Sequence, residues 1–116
     1  MSAAHARLVN AILADLGALP GVVIGANASG RAKYMTESGR TFVVPYGWLS
    51  PGGPDVLCVI APLGRLVAFE AKTGKAKLSK EQRAVHAALE AVGVAVHVVR
   101  SVEEARAALE FAKKSS

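Results

Sequence analysis

The sequence predicts a single α/β domain in which a mixed β-sheet carries helices on its faces. Three observations predict it. Segments with apolar residues at helical spacing alternate with short β-branched runs. A tight Pro62-Leu63-Gly64 signal joins two of those runs into a hairpin. The 116 residues, 52% of them hydrophobic, suit one packed core.

The elements follow in order. Ser2 to Leu16 places Leu8, Ile12 and Leu16 four apart, so an amphipathic helix is expected, ended by Gly17 and Pro20-Gly21. Val22 to Ile24 reads as a short strand, Asn27 to Lys33 as a polar loop, and Thr41 to Val44 as a further strand or extended segment. Pro45 to Pro54 reads as a loop. Asp55 to Ala61 and Arg65 to Thr73 are the two strands of the hairpin. Ser79 with Gln82 three residues on is a helix capping box, and Val85, Leu89 and Val92 continue at helical spacing to Gly93. Val94 to Val99 is an apolar strand, and Ser101 with Glu104 opens a last helix through about Lys113. With Thr41 to Val44 taken as an extended segment, the order of secondary structure is α-β-β-β-α-β-α, and strands joined by helices imply a mixed sheet.

Composition narrows the function classes. The 14 Lys and Arg against 9 Asp and Glu leave a formal charge of +5, which suits a polyanionic partner. One cysteine, Cys58, excludes an internal disulfide and a zinc site needing two thiolates, and a reducing, cytoplasmic setting is expected. No apolar run approaches the roughly 18 residues of a membrane span, and no signal-peptide pattern opens the chain, so no membrane partner is expected.

The hairpin holds the chemistry. If Ile60 and Arg65 close a four-residue loop, the register carries back to Asp55 opposite Glu70, with Cβ atoms roughly 4.5–5.5 Å apart. Lys72, two residues beyond Glu70, falls on the same face. The rest of that face is Leu57, Val59, Leu66 and Ala68, so the acids stand at the end of an apolar and therefore buried sheet face. Like-charged carboxylates in such a place need a shared proton or a cation, and Mg²⁺ is the hard ion that suits them. Lys72 adds a positive charge able to orient a water or stabilise a phosphate. The competing explanation is an Asp55 turn cap and an ordinary Glu70–Lys72 surface pair.

These residues, Gly53-Pro54-Asp55, Glu70-Ala71-Lys72, Leu78-Ser-x-x-Gln82-x-x-x-His86 and Val98-Val99-Arg100-Ser101, resemble in order the PD-(D/E)xK nuclease superfamily and within it the VRR-NUC family of virus-type replication and repair nucleases. The resemblance spans roughly Asn27 to the C-terminus. It implies a restriction-endonuclease-like fold for residues 1–116 and a metal-dependent endonuclease. Asp55, Glu70 and the Ala71 carbonyl would hold Mg²⁺ or Mn²⁺, with Lys72 acting on the water and Gln82 supporting it. It further implies a homodimer that cuts branched DNA such as a Holliday junction or flap, with roles in DNA repair. The alternative is a non-catalytic DNA-junction-binding module, or a subunit active only within a larger replication or recombination complex. Many relatives carry a first-helix glutamate that joins the metal site. Here that stretch is Ala3-Ala-His5, so either His5 substitutes or the site holds one well-ordered ion.

Several residues admit two readings. Gln82 either serves the capping box or supports the site, and His86 either faces the hairpin or is a satisfied half-buried histidine. Arg31, Lys33, Lys75, Lys77 and Lys80 are candidates for phosphate contacts, with Arg40 and Arg83 beside them, against the alternative of a solvated face. Tyr46 and Trp48 are expected to pack over a sheet edge or dimer contact, and Cys58 to lie on the buried face opposite the acids. Gly74-Lys75 is no phosphate loop, because Ala76 stands where a hydroxyl residue is needed.

Overall fold

The computed structural model describes residues 2–115. Ser2 caps the first helix, its hydroxyl accepting from the His5 N–H, and α1 runs over Ala3–Gly17 with Val9, Ile12 and Leu16 buried along one stripe. Strands β1 (Val22–Ala26), β2 (Gly30–Met35), β3 (Thr41–Tyr46), β4 (Val56–Ile60) and β5 (Arg65–Ala71) follow. Then come α2 (Lys80–Ala91), β6 (Ala95–Val99) and α3 (Val102–Lys114).

Four strands form the main sheet in the order β1-β4-β5-β6. Its pairs are antiparallel except β5 with β6, which α2 connects and which run parallel. Side chains alternate across it. Val56, Cys58, Ile60, Val67, Phe69, Ala71 and Val99 point into a core closed by α1 and α3 through Ile12, Leu16, Ala105, Leu109 and Ala112. The other face receives α2, which buries His86 and Leu89.

The β4–β5 hairpin has the expected register: Ile60 pairs with Arg65 and Val56 with Phe69, and Gly64 takes the left-handed φ of 71° in the four-residue loop. Cys58 lies buried on the core face, as its alternation implies. One expectation needs correction. The face shared by the acids is not buried throughout: Ala68 and Glu70 are sealed, but Leu57 and Leu66 are half-buried and Val59 is 41% exposed. The cause is that α2 covers only the β5–β6 end of that face.

A second correction concerns the segment read as a polar loop. From Gly30 it forms β2, which pairs with β3 as a separate two-stranded ribbon from Gly30↔Tyr46 to Met35↔Thr41. Alternation puts Ala32, Tyr34, Phe42 and Val44 on one side, where the Tyr34 and Phe42 rings stack with centroids 5.5 Å apart, and Arg31 and Lys33 on the other. The segment reads as a loop because its alternation is short, half of it is the charged Arg31 and Lys33, and no buried core stands behind the apolar half. Among the described residues, no helix is long and apolar enough to cross a membrane.

Candidate active site

The hairpin register leaves Asp55, at the entry to β4, opposite Glu70 on β5. Asp55 Oδ2 accepts from the Ala71 N–H at 2.9 Å and lies 3.2 Å from His5 Nε2, brought in on the first turn of α1. The other ring nitrogen of His5, Nδ1, is buried and has no hydrogen-bond partner among the described residues. His5, Asp55 and Glu70 each offer one ligand atom, and the three atoms lie within 4.8 Å of one another.

Glu70 is 1% exposed, with Oε1 3.1 Å from His86 Nε2 on α2. Burial, then the hydrogen bond and negative charge of Asp55, push its carboxyl pKa up to about 9, against the opposing pull of Lys72. Burial also pushes the His86 imidazole down, so Glu70 and His86 form a neutral hydrogen bond rather than an ion pair. His86 is therefore a satisfied buried histidine, and what satisfies it is the acid beneath the site.

Lys72 Nζ donates to Gln82 Oε1 at 2.8 Å, and the same oxygen accepts from the Ser79 N–H at 2.9 Å. Gln82 N in turn donates to the Ser79 hydroxyl, completing the capping box. The two readings of Gln82 are thus one structure: the cap fixes the side chain that holds the lysine. His5, Asp55, Glu70, Lys72 and Gln82, with Ser2, Thr73 and Ala76, line an open cleft of about 340 Å³.

Two carboxyls, an imidazole and an ammonium in one cleft suit a divalent cation beside a phosphate. The donor set fits such an ion on its own terms. A carboxyl that burial, and then Asp55, hold protonated is what a cation would relieve, and His5 Nε2, facing Asp55, turns a nitrogen donor to the same point.

No family model and no curated protein sequence matches this chain. A solved structure described as a VRR_NUC domain does align with it, over 94% of this chain and 97% of that one, with a TM-score of 0.62 and 21% sequence identity. The chain has the VRR_NUC fold.

Within that VRR_NUC fold, two groups that sequence reasoning did not assign hold the site in shape. Asn27, at the end of β1, donates from Nδ2 to the Trp48 and Pro54 carbonyls and accepts at Oδ1 from the Trp48 N–H, each at 2.9 Å. It clamps the loop that delivers Asp55. Gly53 passes so close to the Trp48 carbonyl that a Cβ there would collide with it. Arg100, just past β6, donates to the Gly74 and Ala76 carbonyls at 3.0 and 2.8 Å and so pins the turn that follows Lys72. The Val98-Val99-Arg100-Ser101 block carried that signal in the sequence, but nothing there said which backbone it reaches.

The remaining candidates stand outside the cleft lining. Arg31 and Lys33 are exposed on the VRR_NUC ribbon, and Lys75, Lys77 and Lys80 are exposed between β5 and the start of α2. Ala71 joins the site through its N–H. Tyr46 packs its ring over Gly30 at the base of the ribbon, whereas Trp48 meets Asn27 through its backbone and is 39% exposed.

Proposed function

We propose that residues 1–116 form one nuclease domain that hydrolyses DNA phosphodiester bonds with a divalent cation, Mg²⁺ or Mn²⁺. The observation that carries the reading is the convergence of His5, Asp55 and Glu70 within 4.8 Å, beside a lysine fixed by Gln82.

Asp55, Glu70 and the Ala71 carbonyl would hold the ion, and His5 would supply the donor that the first helix otherwise lacks. A divalent ion held there would supply Lewis-acid polarisation of the phosphate and would make water easier to deprotonate. Lys72 places its ammonium where charge grows on the phosphate oxygens, and the Gln82 contact keeps that ammonium from swinging to solvent. Glu70 would release its proton to solvent as the site fills, and His86 Nε2–H would then donate to the Oε1 carboxylate oxygen, so the buried oxygen keeps a partner.

Lys75, Lys77 and Lys80 flank the cleft and contact phosphates beside the scissile bond. Arg31 and Lys33 extend that contact along one side of the ribbon. The opposite, apolar side of the ribbon supports a homodimer. A two-stranded hairpin is marginal alone in water, and the exposed Tyr34, Phe42 and Val44 side is a surface for a second copy to cover. Two such sites across a dyad suit branched DNA, a four-way junction or a flap.

The test is cleavage of labelled duplex, flap and four-way-junction DNA in Mg²⁺, Mn²⁺ or EDTA, with Lys72→Ala alongside. Metal-dependent products reduced about 10²–10³-fold in the variant are expected. Equal products from both proteins, or products in EDTA, overturn the reading.

A further inference from the structure

A second cavity, of about 300 Å³, shares Asp55 with the metal cleft and no other residue. It lies between α1 and the chain leaving β1, and it is the more enclosed of the two. Ala6 and Val9 on one side and Ala26 and Ala28 on the other give it smooth walls of methyl groups. Two polar side chains at its rim, Asn10 and Ser29, make no side-chain hydrogen bond among the described residues, whereas the third, Asn27, is fully engaged by the Trp48 and Pro54 backbone.

The chemistry of that lining selects its ligand. Among the described residues no cation lines the cavity and the one ionisable side chain in its lining is Asp55, so a phosphate is repelled. Apolar walls with a free amide and a free hydroxyl at the rim suit an uncharged ring with donors and acceptors along one edge. We propose that the cavity takes up one unpaired nucleobase, that of the nucleotide adjoining the phosphate held at Asp55, with Asn10 and Ser29 bonding its edge. This rests on the nuclease reading and deepens it. A base stacked in duplex cannot enter, so the enzyme favours sites where a base is already unpaired or easily extruded, as at a flap or branch point.

The experiment uses the full chain and flap DNA carrying 2-aminopurine at each position in turn across the cut, with fluorescence read in Ca²⁺ and cleavage in Mn²⁺. Fluorescence rising at one position next to the cut, lost in Asn10→Phe, which fills the cavity from an exposed helix position, is expected. Asn10→Phe lowers cleavage about tenfold on this DNA and leaves cleavage unchanged when that nucleotide is abasic; Asn10→Ala gives a smaller loss of the same pattern. Cleavage with no position-specific signal, or an equal loss on abasic DNA, overturns the cavity assignment and leaves the nuclease standing. A position-specific signal lost in Asn10→Phe, without cleavage in any metal, supports the cavity and overturns the nuclease.

Discussion

His5 Nε2 stands 3.2 Å from Asp55 Oδ2, although fifty residues separate them. The contact joins the first turn of α1 to the entry of β4 and places a nitrogen donor in a site otherwise built from oxygen.

That donor would bias the proposed metal site: along the first-row series imidazole binds progressively better from Mn²⁺ onward, whereas Mg²⁺ strongly prefers oxygen. Mn²⁺ is expected to bind tighter than Mg²⁺. His5→Ala weakens Mn²⁺ by about tenfold or more, and His5→Glu narrows the gap between the ions. Calorimetric titration checks the affinities, and nitrogen modulation in the pulsed electron paramagnetic resonance of bound Mn²⁺, present in wild type and absent in His5→Ala, checks the ligand directly. Equal affinity of wild type and His5→Ala for Mn²⁺ counts against His5.

Glu70 is expected to make the metal-free protein less stable in alkali. Its folded-state pKa, about 9, stands above the ordinary 4.5, so its contribution to stability is full below about pH 4.5 and is lost as the pH rises toward 9. The melting temperature measured in EDTA should fall across that window, and Glu70→Gln, which keeps a hydrogen-bonding partner for His86, should flatten the fall. Mn²⁺ reverses the trend, because metal uptake displaces the proton and tightens with pH.

Ser79 and Gln82 separate capping from chemistry. Ser79→Ala removes the cap hydroxyl and is expected to cost about 1 kcal/mol in denaturant unfolding with little change in cleavage. Gln82→Ala costs a similar amount and also frees Lys72, so kcat falls by about tenfold or more. If both variants lose activity in equal measure, the Lys72 contact has no catalytic weight.

Arg100 is a positioning residue for the turn after Lys72. Arg100→Ala is expected to lower cleavage several-fold while stability changes by about 1 kcal/mol, and Arg100→Lys should not rescue it, because one ammonium does not reproduce the fork that reaches both the Gly74 and Ala76 carbonyls. Full activity in Arg100→Ala would remove this role.

Asn27→Ala unfastens the loop before Asp55. Loss of three hydrogen bonds in a half-buried place is expected to cost about 2 kcal/mol, and Gly53→Ala should cost at least as much through its collision with the Trp48 carbonyl. Chemical denaturation measures both, and weaker metal binding in the same variants shows that the loop carries Asp55.

The hairpin, and with it the pairing of Asp55 with Glu70, was legible in the sequence. The four-residue turn at Ala61–Gly64 dictates register, and a period of two then dictates which residues share a face. The helices and their caps were legible for the same reason: Ser79 with Gln82 and Ser101 with Glu104 are local signals satisfied within one turn. Local rules also placed Lys72 beside Glu70 and Cys58 on the buried face.

Tertiary structure decided everything that depends on distant segments meeting. The approach of His5 to Asp55, of His86 to Glu70 and of Arg100 to the Gly74 turn follows from how α1, α2 and the end of β6 dock on the sheet. No spacing along the chain encodes those distances. The ribbon escaped the pattern because β2 packs on β3 and on no core, and the openness of the sheet around Val59 escaped it because the reach of α2 is set by packing. The sequence by itself thus determined which residues share a strand face or a helix turn, through periodicities of two and 3.6. Which faces are covered, and which side chains from separate elements meet at Asp55, was left to the packing of helices against the sheet.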